Sequence, residues 1–379
     1  MNKIMNKIVT LGLSLCMLAG CSSSTTTSSS TSTTSSVSTP EPVPTEVTLV
    51  DHADRTVTVP TNPEKVAFLS ILPLPSMLTV YLDSAESIVA MQPASMNAAK
   101  STILSTLYPE ILNVDTNIMD GNDVNIEALV AKEPDIVFFN AGNKKELEML
   151  ENAGLTAVGV SPTKWGFDCI KTYEEWMNLL DQIYPTHASS EREALIKQYA
   201  QDNYDEIQEQ VSQLKDKQRI LFLYSYDDTA IVTSSSKFFG QWWCEAVGAI
   251  NVAQDVQAEK SNAVITMEQI YEWNPDVIFI TNFTQAQPED LYENKIGSDD
   301  WSSINAVKNQ RVYKMPQGVY RTFTPGVDTP ITLKWMAQAV YPELFSDVDI
   351  NAYTKDYYKQ LFGIELTDSN LESMITNNK

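Results

Sequence analysis

The sequence predicts an α/β protein built as two similar lobes with mostly parallel sheets, joined by a single long α-helix. Three observations predict it. One helix–strand unit occurs twice, short apolar runs alternate with helical stretches, and an uninterrupted amphipathic segment separates the two halves.

The repeated unit spans residues 125–139 and 266–280. Each copy carries a glutamate (Glu127, Glu268), a short helical stretch, a Pro-Asp pair (Pro134-Asp135, Pro275-Asp276) and then four apolar residues. Proline drives the residue before it out of the α region and so ends the helix. The apolar quartets are rich in β-branched and aromatic residues, the signature of parallel strands buried on both faces. Further strands are expected at 65–69, 87–90, 157–160 and 219–223. Strands alternating with helices make a mostly parallel sheet in each half, a Rossmann-like lobe. Ligands of such sheets lie beyond the carboxyl ends of the strands.

Between the halves, residues 190–217 contain no Gly or Pro. Ser190 with Glu193 reads as a capping box, and Leu195, Ile196, Tyr199, Ile207, Val211 and Leu214 recur at roughly helical spacing. A helix of about 25 residues spans ~37 Å, enough to join two lobes as one strut.

Lys3 and Lys7, an apolar run and Leu18-Ala19-Gly20-Cys21 open the chain. That order describes a secretory signal, too short to span a bilayer. The small-small-Cys ending resembles a bacterial lipobox, which implies lipidation of Cys21 and an extracytoplasmic, membrane-anchored protein. Residues 22–39 are almost all Ser and Thr and are followed by a Pro-rich stretch. Such a segment buries too little apolar surface to order itself and reads as a tether or a glycosylated stalk. The expected organisation is therefore signal 1–21, tether 22–46, N-terminal lobe 47–188, linking helix 189–217 and C-terminal lobe 218–379. About 330 residues remain for the lobes, enough for each to have its own core.

A formal net charge of −23 argues against nucleic acid and against direct adhesion to anionic lipid. Two histidines, His52 and His187, form no metal-ligand cluster, so neither a resident metal nor a cofactor is expected. Cys169 and Cys244 fall in different halves and read as buried thiols rather than a bridge. No Gly-x-Ser-x-Gly elbow, His-rich metal motif or phosphate-cradling glycine loop is present. A secreted glycosidase with two facing carboxylates and a surface adhesin are the competing classes.

With these features in place, the chain resembles the class III, helix-linked substrate-binding lipoproteins of ABC importers, which serve ferric siderophores, haem, vitamin B12 and some oxyanions. Five collinear segments carry the resemblance: 51–60, the first Pro-Asp unit, 248–253, the second Pro-Asp unit and 306–313. It implies a monomeric, non-enzymatic receptor partnered by a permease and its cytoplasmic ATPase. It also implies that Glu127 and Glu268, on the rims of their lobes, pair with permease arginines. The tail from 341 to 364 resembles a subgroup that includes molybdate, tungstate and iron-complex binders. The chain departs from that subgroup around residues 320–328, where a tryptophan is usual near Arg321 and a glutamate near Asp328.

Loops after the strands supply the candidate cleft. From the first lobe come Ser70, Asn140, Lys164 and Trp165. From the second come Tyr224, Tyr226, Trp242, Tyr320 and Arg321. Arg321 is the leading candidate, because a guanidinium grips a carboxylate or oxyanion with two parallel hydrogen bonds. An iron complex, a ferric siderophore or haem, is the expected ligand, with molybdate, tungstate or a cobalamin-type solute as alternatives.

Overall fold

The computed structural model describes residues 44–121, 123–257 and 261–376. The expected signal, the expected lipidation site Cys21 and nearly all of the expected tether lie outside them.

The chain enters through a hairpin, β1 (Glu46–Val50) against β2 (Thr56–Pro60). Its turn explains the 51–60 motif. Asp51 Oδ1 accepts from the N–H groups of Ala53 and Arg55, and its Oδ2 accepts from Arg55 Nη2 at 2.7 Å and from Gly159 N at 2.9 Å. A Cβ on Gly159 would sit 3.0 Å from Asp51 Oδ2 and 3.1 Å from Ala53 Cβ, so glycine is what lets the hairpin dock.

The first lobe holds β3 (Val66–Phe68), β4 (Ile88–Met91), β7 (Ile136–Asn140) and β8 (Ala157–Val160). They pair in the order β4-β3-β7-β8, all parallel. A two-residue pair, β5 (Met119–Asp120) and β6 (Asp123–Val124), stands apart. The second lobe holds β9 (Arg219–Tyr226), β10 (Ile231–Ser234), β11 (Ile250–Asn251), β12 (Asn262–Ile265), β13 (Val277–Ile280) and β14 (Val312–Lys314). Its path is β12-β10-β9-β13-β14, with β11 beside the start of β9. Here β10 runs antiparallel to both neighbours. The cause is local: Asp227 Oδ1 accepts from the N–H groups of Thr229 and Ala230, closing a tight hairpin after β9.

The sequence repeat is a structural one. Asn125 caps the helix Ile126–Val130, and a Thr266–Gln269 capping box starts the helix Met267–Trp273. The Pro-Asp aspartates then do the same work twice. Asp135 Oδ2 accepts from Glu64 N and Lys65 N, and Asp276 Oδ2 accepts from Arg219 N, each clamping the start of the adjacent central strand. Their own N–H groups return to Lys65 O and Arg219 O, both at 2.8 Å.

The helical segment between the lobes departs from expectation at both ends and in the middle. Ser189, not Ser190, is the cap, accepting from Arg192 N. The α-helix Ser190–Lys197 passes into a π-helical stretch, Gln198–Asp202, and resumes as Asn203–Val211, ending before Lys217. Nor does it act alone. The helices Thr329–Val340 and Ile350–Phe362 pack along it. Tyr199 Oη donates to Asp356, and Tyr173 Oη lies 3.0 Å from Tyr357 Oη.

Cores are not separate either. Val66, Phe68, Ile136 and Phe138 of the first sheet join Ile220, Phe222, Val277 and Phe279 of the second, with Ile207 and Val211 of the linking helix, in one apolar cluster. The alternate residues of each strand bury against outer helices in two smaller clusters. A continuous core between two independent sheets resists independent movement of the lobes, because sliding one over the other opens voids.

Candidate solute cleft

On the first lobe, loops leave the carboxyl ends of β3, β7 and β8. Ser70 Oγ donates to Glu146 at 2.5 Å, and Asn140 Oδ1 accepts from Gly142 N in an Asx turn. After β8 the loop is organised around Ser161. Its Oγ accepts from the N–H groups of Thr163 and Lys164, its carbonyl accepts from Trp176 Nε1, and its N–H donates to His52 Nδ1 at 3.2 Å. Burial, with help from the Lys164 charge, lowers the His52 pKa to about 4. The imidazole is therefore neutral at pH 7, with Nδ1 the acceptor. Trp165 packs edge-on against this ring at 4.9 Å. Lys164 reaches outward to Asp54 at 2.5 Å. Gly166 and Phe167 are both left-handed, at φ +66° and +67°. An aromatic residue rarely sits there, and such strain persists only where surroundings impose it. Here the imposing partners are Phe239 and Phe238 of the other lobe, whose ring centroids lie 5.5 and 6.1 Å from that of Phe167.

The second lobe presents an aromatic wall. Tyr224 stacks on Phe283 at 4.8 Å and meets Phe238 and Phe323 edge-on. Arg321 holds its guanidinium 4.6 Å above the Phe283 ring. Its Nε is buried without a hydrogen-bond partner among the described residues. Tyr320 beside it is buried, and burial pushes its phenol up to about 12.

Two predicted residues of the second lobe do not join this wall. Tyr226 packs into the outer cluster, and its hydroxyl is engaged by Asp299, the Ile296 carbonyl and Trp301 Nε1. A β-bulge is the reason. Ser225 pairs with Val232 and Leu223 with Thr233, leaving Tyr224 as the extra residue. One extra residue reverses the inward-outward alternation beyond it, so Tyr224 keeps the inner face and Tyr226 loses it. Trp242 is buried with its ring stacked on Tyr204 of the linking helix, at the back of the lobe. Cys169 and Cys244 are free and fully buried, with both thiols pushed up by burial. Glu127 and Glu268 are exposed in the first turns of their equivalent helices. A backbone N–H and the Thr266 hydroxyl hold the Glu268 carboxyl below its ordinary range.

Sequence reasoning passed over His52, Phe167 and Phe283. The signal for His52 lay in the docking turn that contains it. For Phe167 it was the glycine before it, a sign of left-handed backbone.

The model of one known family, described as periplasmic binding protein, matches residues 77–319. The chain belongs to the periplasmic binding protein family. A crystal structure of a periplasmic solute-binding protein from Veillonella parvula superposes with a TM-score of 0.77 and 28% identity, over 88% of this chain and 99% of that one. The molybdate-binding protein MolA of Haemophilus influenzae is 26% identical over 83% of this chain and 90% of its own. An uncharacterised ABC transporter substrate-binding lipoprotein of Bacillus subtilis, YvrC, is 24% identical over 79% and 87%. This periplasmic binding protein is thus the extracytoplasmic substrate-binding component of an ABC importer, a receptor that works with a permease and not an enzyme. Among the described residues no helix is long and apolar enough to cross a membrane.

Proposed function

We propose that the protein captures an iron complex, a ferric siderophore or haem, between its lobes and delivers it to its permease. The observation that carries this reading is Arg321, standing on the Phe283 ring in a wall of Tyr224, Phe238 and Phe323, with Nε unpartnered among the described residues. A guanidinium on an aromatic surface suits a bulky anion. The ligand's apolar face covers the rings, and its carboxylate or oxyanion edge takes the fork. Trp165 and Tyr320 complete the walls, and Lys164, Ser70 and Asn140 stand at the rim. In this reading residues 47–188 and 218–379 act as the two lobes about the 189–217 segment. Cys21 bears the lipid, in keeping with the Bacillus subtilis lipoprotein relative. Glu127 and Glu268 dock on the permease.

Molybdate is the second reading, favoured by the molybdate-binding relative. A thermal-shift screen against haemin, several ferric siderophores, cobinamide, molybdate and tungstate separates the two. A ligand at a hundredfold excess over its Kd stabilises by about 2.7 kcal/mol. Arg321→Ala should abolish that rise. A rise that persists in the variant removes Arg321 from the site, and a rise with molybdate alone overturns the iron-complex reading.

A further inference from the structure

Residues 317–319 lie between the last strand and the Tyr320–Arg321 pair, and they are held from three directions. The C-terminal helix takes Gln317 N through the Met374 carbonyl at 2.8 Å. A buried carboxylate, Asp328, accepts from Val319 N at 2.9 Å on Oδ2 and from Tyr358 Oη at 2.6 Å on Oδ1. Gly318 is left-handed at φ +51°, and a Cβ there would overlap that carboxylate. The third grip comes from the other lobe. Thr102 Oγ1 lies 3.2 Å from the Val319 carbonyl, and Gln317 Nε2 donates to Ser101 Oγ at 2.9 Å. One residue, Val319, therefore offers its N–H to the second lobe and its carbonyl to the first.

The hydroxyls of the first lobe are arranged so that this grip releases cheaply. Thr102 Oγ1 also lies 3.2 Å from the Ala99 carbonyl, and Ser101 Oγ donates to Ala98 O at 3.1 Å. A hydroxyl has one proton to give. When the lobes part, both hydroxyls keep a partner within their own helical turn. Only the Val319 carbonyl and the Gln317 amide then need water. The cost is a fraction of what an orphaned buried donor imposes.

We infer that Asp328 and Thr102 are positioning residues for Arg321, and that the Val319 peptide makes the placing of that arginine depend on the spacing of the lobes. The inference rests on the reading of Arg321 as the ligand's grip, but its first test needs no ligand. Amide hydrogen exchange is followed in the ligand-free, full folded chain for segments covering 317–323 and 136–140. Ser101→Ala with Thr102→Val should speed exchange in 317–323 by about tenfold, the loss of two modest hydrogen bonds, and leave 136–140 unchanged. Ser101→Ala with Thr102→Ser should leave exchange only about threefold faster, because the grip on Val319 is restored and that on Gln317 is not. Unchanged exchange overturns the inference. Faster exchange that spreads equally to 136–140, with Ser no better than Val at position 102, also overturns it, as that is general loosening.

The second arm titrates haemin and sodium molybdate into the wild type, the Ser101→Ala/Thr102→Val variant and Arg321→Ala. Weaker binding in both variants for the same probe supports the inference. If exchange changes as expected but Arg321→Ala binds normally every probe that the wild type binds, the coupling stands and the ligand reading fails.

Discussion

The two lobes begin their central strands in the same way and end them in different ways. At the start, Asp135 and Asp276 each clamp the neighbouring strand through backbone N–H groups. At the cleft end, the first lobe fixes its loop through neutral His52, which accepts from Ser161 N. The second fixes its loop through buried Asp328, which accepts from Val319 N. Both devices satisfy one backbone donor just behind the cleft. Their chemistry is opposite, because one is a base kept neutral by burial and the other an acid whose pKa burial pushes up to about 6. The repeat keeps what the sheet needs to form, and the loop ends differ.

Substitution of one closely approached glycine in each lobe breaks the comparison most severely. Gly318→Ala forces a left-handed alanine into a buried carboxylate and should cost about 4 kcal/mol. Gly159→Ala meets Asp51 Oδ2 at 3.0 Å with ordinary backbone and should cost about 2 kcal/mol. Urea unfolding of the two variants measures the difference, and equal costs would remove the special status of the Gly318 turn.

Stability against pH sharpens the contrast. The folded-state pKa of His52 is depressed from 6.5 to about 4, so its contribution is full above pH 6.5 and is lost as pH falls toward 4. That of Asp328 is raised from 3.8 to about 6. The folded state therefore binds the extra proton, and this contribution is full below pH 3.8 and is lost as pH rises through 6. Each amounts to about 3 kcal/mol at its limit. Between pH 4 and 6 they oppose each other and flatten the wild-type curve. Asp328→Asn should unmask a melting temperature that rises with pH, and His52→Gln one that falls. Parallel curves for the two variants would contradict the assignment.

The smallest effect comes from the shared clamp. Asp135→Ala loses acceptors for two N–H groups and Asp276→Ala for one, so about 2 and about 1 kcal/mol are expected in denaturant unfolding. A reversed order would mean the two clamps are not equivalent.

Local chemistry made the α/β class, the repeated unit and most strands legible. Proline after a helix, β-branched quartets and an unbroken polar-apolar period act within a few residues, so they are written in the chain; Ala157–Val160 falls where the apolar run placed it. The candidates Arg321 and Trp165 stood out for the same reason, as unusual side chains in loops, whereas Tyr224 lies within the strand Arg219–Tyr226. Tertiary structure alone decided which aromatics gather around Arg321. A bulge at Tyr224 reversed the strand beyond it, and the linking helix claimed Trp242. It also merged two expected cores into one and brought Thr102 to Val319. These outcomes depend on contacts between residues far apart in the chain. Their geometry is set by how whole sheets and helices fill space together, and no short window of sequence contains it.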